Sequence, residues 1–215
     1  MLETMLSQMR LPLSDALIDI DFATAPLGSQ LIPDRGQLQN IWTRKQLAGA
    51  AQQDGVVDLP NGLGRGYYFD AKTYFMGDKI PPMFNGRWKL TAKAMPLGGG
   101  SVLSTGNFPG SGGIRAGFNF AGGQYATQYW QYFQTNGSGS FQRTLLDGAK
   151  VDNVIDVITV TRDGATIIRN ERTGKQNSYA NFNTGGDSYI AIGSCQAFTA
   201  ALSGYLLSLK LEMLP

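Results

Sequence analysis

The sequence contains no histidine, one cysteine and three glutamates among its 215 residues. Without histidine, Ser-His-Asp and Cys-His catalytic arrangements and histidine metal sites are excluded. The single cysteine, Cys195, excludes an internal disulfide, and we expect it to be a buried, unreactive thiol. The glutamates Glu3, Glu171 and Glu212 are too scattered to form a pair of catalytic carboxylates on one strand. We therefore expect a protein that is not an enzyme and has no cofactor, with a glycosidase built from aspartates alone as the remaining enzymatic alternative.

Charge and long apolar runs are also scarce. Charged residues make up 16% of the chain, the formal net charge is +2, and lysines and arginines do not cluster. This composition argues against a nucleic-acid-binding protein. No run of 18 apolar residues exists, so we expect no membrane span. The first 17 residues lack a basic start followed by an apolar stretch, which argues against a secretion signal and favours folding in a cytoplasm.

Glycine and alternating strand patterns are plentiful instead. The 28 glycines are spread along the chain and favour many turns over long helices. In residues 86–96, "GRWKLTAKAMP", the apolar positions starting at Trp88 alternate with polar ones, which predicts one buried and one solvated strand face. The strand predicted at 16–24 places Ile18, Ile20 and Phe22 on one face. Similar strands are predicted at 64–71, 101–106, 114–121, 124–135, 139–148, 187–194 and 202–214.

This spacing predicts one all-β sandwich or barrel domain over residues 16–215, preceded by an N-terminal arm over residues 1–15. In the arm and just after it, Met5, Met9, Leu13 and Leu17 recur at a spacing of four. The arm either docks on a partner protein or caps the first strand.

A β-hairpin is predicted over residues 154–175, "VIDVITVTRDGATIIRNERTGK". The pair Asp163-Gly164 suits a two-residue turn between antiparallel strands. Such a turn would place Val160 opposite Ile167, with both side chains in the core.

The aromatic segment "YATQYWQYF", residues 125–133, is the candidate binding strand. On a strand, Trp130 and Tyr132 share one face. If that face is exposed, the two rings form a stacking platform for a sugar, with Gln128 and Gln131 as hydrogen-bonding neighbours. The alternative is that Trp130 and Tyr132 are buried between sheets or at a subunit contact.

The order of these segments resembles the concanavalin A-like jelly roll in its laminin-G-like form. "LIDIDFAT" resembles the opening strand of that family, "GRGYYFDAKTYF" a G-x-a-l-x-F-D-G strand with Ala71 in place of glycine, and "GRWKLTAKAMP" and "SVLSTG" the two strands that follow. The hairpin and the closing "LSGYLLSLKL" complete the order. The resemblance implies an all-β, two-sheet antiparallel jelly-roll sandwich, in which the hairpin belongs to the framework.

Laminin-G-like domains can bind calcium through loop oxygens, which leaves a metal site open here. The candidate donors are Asp19, Asp21, Asp58, Asp70 and Asp78.

Lectin-like sandwiches are usually secreted, whereas the composition favours cytoplasmic folding. Bacteriophage virion proteins reconcile the two, because they fold in the host cytoplasm and leave it on lysis. The leading hypothesis is a structural protein of the tail, a fibre or the capsid exterior. We expect it to form a homo-oligomer, to be joined to other virion proteins by its arm and to contact host-surface glycans. A free carbohydrate-binding lectin-like module is the alternative.

Overall fold

The computed structural model describes residues 14–46, 54–79, 86–106, 114–121, 129–135, 141–147, 154–181, 189–193 and 201–215. Gln128, Cys195 and residues 1–13 lie outside these ranges, so the domain boundary at residue 16 and the role of the arm stay predictions. Apart from a short 3-10 turn at Pro60–Gly62, every regular element in the described part is a β-strand. The strands are β1 Ile18–Asp21, β2 Thr43–Gln46, β3 Gly55–Asp58, β4 Arg65–Asp70, β5 Thr73–Gly77, β6 Trp88–Pro96, β7 Gly100–Gly106, β8 Ile114–Ala121, β9 Tyr129–Thr135, β10 Phe141–Asp147, β11 Asp156–Asp163, β12 Ala165–Asn170, β13 Gln176–Ala180, β14 Tyr189–Ile192 and β15 Ser203–Met213.

The strands form two antiparallel sheets that face each other. The eight-stranded sheet runs β13-β12-β11-β6-β15-β4-β3, and β1 pairs with the second half of β15. The seven-stranded sheet runs β10-β9-β8-β7-β14-β5-β2. This arrangement confirms the predicted all-β, two-sheet antiparallel sandwich.

One hydrophobic core fills the space between the sheets. The alternation predicted for β6 is confirmed, because Trp88 is completely buried and Leu90, Ala92 and Ala94 are each 1% exposed. On the first strand, the side chains that share one face are also buried, since Ile18, Ile20 and Phe22 are each 0% exposed. Period-two alternation thus predicted the buried face of β6, and for β1 it predicted which residues share a face.

The hairpin of β11 and β12 is present, but its predicted register is wrong. Val160 pairs with Ile168, and Thr161 pairs with Ile167. Only Gly164, at a φ of 72°, stands between the paired residues Asp163 and Ala165, so the turn is one residue out of step with the expected two-residue loop. Because side chains alternate with period two, this shift moves Ile168 into the core and leaves Ile167 half-buried on the other face.

Candidate functional site: the outer face of the seven-stranded sheet

The structure places Trp130 and Tyr132 in the core, each 3% exposed. The Trp130 ring stacks on Phe118 with centroids 5.1 Å apart, and Tyr132 meets Trp88 edge-on at 5.4 Å. The indole nitrogen of Trp130 donates a 2.8 Å hydrogen bond to Asp156 Oδ2 across the sandwich. Both rings face the opposite sheet, so neither offers a solvent-exposed surface for stacking. Ligand binding on β9 stays a prediction, and it now depends on Gln131.

Gln131 lies on the outer face of the seven-stranded sheet, because strand neighbours alternate and Trp130 and Tyr132 point inward. Across β9, β8 and β7, Gln131 is opposite Asn119, which is opposite Ser101. Two residue pairs further along β7, the row across β7, β14 and β5 contains Ser104, Ala191 and Met76. Tyr74, the next outward residue of β5 after Met76, pairs with Lys45 on β2. We call Tyr74, Met76, Ser101, Ser104, Gln131 and Ala191 the outer polar face.

Most of the outer polar face is shielded from solvent although it points away from the other sheet. Ser101 is 0% exposed, Ser104 1%, Ala191 2% and Gln131 7%. Among the described residues, Ser101 Oγ and Gln131 Oε1 have no hydrogen-bond partner. A shielded polar atom without a partner costs about 1–3 kcal/mol, so both positions favour a water molecule or a ligand that supplies the missing hydrogen bond.

The polar groups of this face are of a kind that can hydrogen-bond a ligand with several hydroxyl groups. The middle of the face consists of the small side chains of Ser104 and Ala191, both of which are shielded from solvent. Two strand spacings, about 10 Å, separate β7 from β9, so Ser101 and Gln131 can contact different parts of one ligand. Burial raises the pKa of the Tyr74 phenol above its ordinary value. The face therefore carries the Ser101 hydroxyl and the Gln131 amide at one side and the Tyr74 phenol at the other.

Asp54, just before β3, is a buried acid that links the two sheets. Arg44 of β2 donates to both of its carboxylate oxygens, from Nε at 2.8 Å and from a terminal nitrogen. The hydroxyl of Tyr67, on β4, also donates to Oδ2. Burial raises the pKa of Asp54, but the hydrogen bonds from Arg44 and Tyr67 outweigh it, so the net shift is downward. This carboxylate is ionised and fully engaged, which suits a structural role and not acid catalysis.

Asp156, at the start of β11, is engaged in the same way. Its Oδ2 accepts from Trp130, while its Oδ1 accepts from Asn170 Nδ2 at 2.9 Å and from Arg172 Nε at 2.8 Å. Both carboxylate oxygens of Asp156 thus accept hydrogen bonds, and the residue is 9% exposed to solvent. The two best-buried acids of the described chain thus hold the sheets together.

The structure does not gather the five candidate calcium donors into one place. No group of three acidic, cysteine or histidine side chains with metal-binding geometry occurs among the described residues. A calcium site therefore stays a prediction without structural support here. Each of the five carboxylates accepts from a nearby protein group: Asp19 from Arg35, Asp21 from Ala23 N, Asp58 from Arg65, Asp70 from Thr73 N and Asp78 from Ile41 N.

Comparison with known proteins finds likeness only at the level of structure. No family model matches the chain, and no curated protein matches its sequence. Domain 4 of an extracellular arabinanase from Geobacillus stearothermophilus, in complex with arabinotriose, is similar with a TM-score of 0.59 and 12% identity, over 93% of this chain and 94% of that one. The CBM40 of a Ruminococcus gnavus sialidase, bound to α2,3-sialyllactose, is similar with a TM-score of 0.50 and 12% identity, over 60% of this chain and 78% of that one.

A third similar structure is tailspike protein 2 of the Escherichia coli O157:H7 bacteriophage CAB120. The TM-score is 0.51 and the identity 14%, over 77% of this chain but 25% of the tailspike. At such identities, these likenesses show the fold alone. They confirm the jelly-roll sandwich.

Sequence reasoning missed Tyr74 and Ser101 as members of the candidate site. The segment "SVLSTG" predicted a strand, but Ser101 and Ser104 are three residues apart and share a face only because the register of β7 shifts between Ser101 and Leu103. The pairing that brings Ser101 level with Gln131 is non-local, and the sequence pattern alone does not contain it.

No helix in the described ranges is long and apolar enough to cross a membrane.

Proposed function

We propose that this protein is a non-enzymatic carbohydrate-binding module whose ligand lies on the outer polar face. The observation that carries the proposal is the pair of shielded polar atoms, Ser101 Oγ and Gln131 Oε1, on one face of one sheet. Saccharide hydroxyls both donate and accept hydrogen bonds, so they complement a serine hydroxyl and an amide oxygen. The engaged state of Asp54 and Asp156 supports a binding role over a catalytic one.

The similar structures support the same class of ligand. The arabinanase domain is in complex with arabinotriose and the sialidase module is bound to sialyllactose, and both share this fold. Because fold does not dictate function, the choice of glycan rests on this chain's own residues.

We further propose that the module belongs to a bacteriophage virion, at the tail or the capsid exterior, where it contacts host-surface glycans. The likeness to a phage tailspike supports this context, as does the low charge expected of a packed assembly component. The N-terminal arm, residues 1–15, would join the module to other virion proteins. A free lectin-like module is the second candidate, favoured by the likeness to the whole length of the arabinanase domain.

Glycan binding is tested with the purified full chain on a glycan array, followed by calorimetry on the strongest ligand. Gln131→Ala and Ser101→Ala remove one ligand hydrogen bond each, so we expect each to weaken binding about tenfold, the ratio that corresponds to about 1.4 kcal/mol. Tyr179→Ala is the matched control, because Tyr179 is 49% exposed on the edge strand β13. Binding that is absent from the parent protein, or unchanged in both variants, contradicts the proposal.

The virion context is tested separately, by mass spectrometry and electron microscopy of purified particles. We expect the full chain in the particles and the chain lacking residues 1–15 outside them, still folded by circular dichroism. Finding the full chain only in the soluble lysate would favour the free lectin-like module.

A further inference from the structure

Tyr68 and Tyr205 form an aromatic pair on the outer face of the eight-stranded sheet, on the opposite side of the sandwich from the outer polar face. Tyr68 of β4 is paired directly with Tyr205 of β15, and both side chains are partly exposed. Their ring centroids are 5.1 Å apart and the ring planes are inclined by 42°. Two rings at this angle form a shallow open cleft, whereas parallel rings would cover each other.

The Tyr205 ring is held in place by a small hydrophobic cluster that is separate from the main core. Leu59, Met95 and Leu207 make up this cluster, with Met95 at 0% exposure, and Tyr205 and Ile155 pack against it. A ring that is already fixed loses little conformational freedom on binding a ligand. The pair is therefore preorganised in a way that an isolated surface tyrosine is not.

The surroundings of the pair are open and polar. On its other side Tyr68 is opposite Gly55 of β3, which has no side chain to cover the ring. One pair further along the same face are Asp70 and Ser203, both partly exposed. Asp70 Oδ1 accepts from the backbone of Thr73. Within the described part of the chain, no hydrogen bond engages the hydroxyl of Tyr68 or Tyr205, so two phenols stand beside an aromatic cleft.

We propose that Tyr68 and Tyr205 form a second saccharide-binding site, which takes a neutral pyranose ring. The apolar C–H face of the sugar would pack on one aromatic ring, while its hydroxyls bond the phenol of the other ring and the side chains of Asp70 and Ser203. The class of ligand rests on the function proposed above. The location of the second site is independent of that function, because the tyrosine pair and the outer polar face lie on different sheets. Two sites on opposite faces would let one module bridge two glycan chains and gain avidity.

The test uses the full chain labelled with 3-fluorotyrosine and titrated with lactose and with cellobiose, observed by fluorine NMR. We expect the Tyr68 and Tyr205 signals, assigned with Tyr68→Phe and Tyr205→Phe, to shift in a saturable way with at least one of the sugars. The Tyr179 signal should stay fixed. Tyr68→Ala should abolish the shift of the Tyr205 signal, with unchanged circular dichroism as the folding control.

Gln131→Ala separates this inference from the proposed function. If the saturable shifts persist in Gln131→Ala, the second site stands by itself. If sugar binding is seen but disappears in Gln131→Ala, and Tyr68→Ala has no effect, the second site is overturned and the proposed function holds. If neither sugar moves any tyrosine signal at saturating concentration, the second site is overturned, and the glycan array decides the proposed function independently. Dissociation of an oligomer by Tyr68→Ala, with no sugar-induced shift, would identify the pair as a contact between copies instead.

Discussion

Tyr67 and Tyr68 are adjacent residues of the same type on β4, yet they occupy opposite environments. Tyr67 points between the sheets, is 0% exposed, packs against Phe75 at a centroid distance of 5.2 Å and donates to Asp54. Tyr68 points outward, is partly exposed and lies against Tyr205. The first phenol connects the two sheets, and the second belongs to the proposed second saccharide site.

The same contrast occurs on β9, where Trp130 is in the core and Gln131 belongs to the outer polar face. In both strands the inward aromatic residue bonds a buried carboxylate, Asp54 or Asp156, which connects the two sheets. Aromatic content thus says little about binding in this fold. What matters is the face on which a ring lies.

The contrast on β9 gives the largest expected effect. Trp130→Ala should lower the free energy of unfolding by about 3–5 kcal/mol, because it removes a buried ring that stacks on Phe118. Gln131→Ala, its neighbour, should change it by less than about 1 kcal/mol, because Gln131 Oε1 has no partner to lose among the described residues. Urea denaturation of the two variants measures the difference, and equal losses would show that the two faces are not distinct.

Asp54→Ala should destabilise the protein by about 3–5 kcal/mol, because it leaves the Arg44 guanidinium without its ionic partner near the core. Asp58→Ala is the matched control, since Asp58 pairs with Arg65 but is largely exposed, and it should cost less than about 1 kcal/mol. Thermal and urea unfolding compare the two. A small loss for Asp54→Ala would mean that the link between the sheets contributes little.

Removing the hydroxyl from each of the adjacent tyrosines Tyr67 and Tyr68 compares the two faces of one strand directly. Tyr67→Phe removes the hydroxyl that bonds Asp54 and should cost about 1–3 kcal/mol, because one buried acceptor loses its donor. Tyr68→Phe removes a hydroxyl that no described residue engages and should stay within about 0.5 kcal/mol. Urea denaturation is the measurement, and a reversed order would contradict the assignment of the two faces.

The smallest effect concerns acid stability. Because the folded-state pKa of Asp54 lies below the ordinary 3.8, its contribution to stability is fully present above that pH and is lost as the pH falls toward the lowered value. The slope of unfolding free energy against pH, measured below pH 3.8, should therefore be shallower in Asp54→Ala than in the parent protein. An identical slope would exclude Asp54 as a source of the acid sensitivity.

Local patterns predicted several strands closely. The predicted limits of β8 agree with the structure, and the buried side of β6 follows directly from its alternation. Four strands were not predicted separately: β2, β3, β5 and β13. Two of them have no alternating apolar face, since β13 is exposed throughout and β2 is polar, so their strand conformation depends on pairing with a neighbour.

By itself, the sequence determined the all-β class, the alternation of β1, the buried face of β6 and the absence of histidine chemistry, because period-two alternation and composition are local properties. Only the tertiary structure decided the register of the hairpin, the burial of Trp130 and Tyr132, the alignment of Ser101 with Gln131 across β8, and the pairing of Tyr68 with Tyr205. Where both faces of a strand carry aromatic or apolar residues, as on β9 and β12, the pattern does not say which face meets the other sheet. That choice is made by residues far apart in the chain, when hydrogen bonding between strands brings them level with one another.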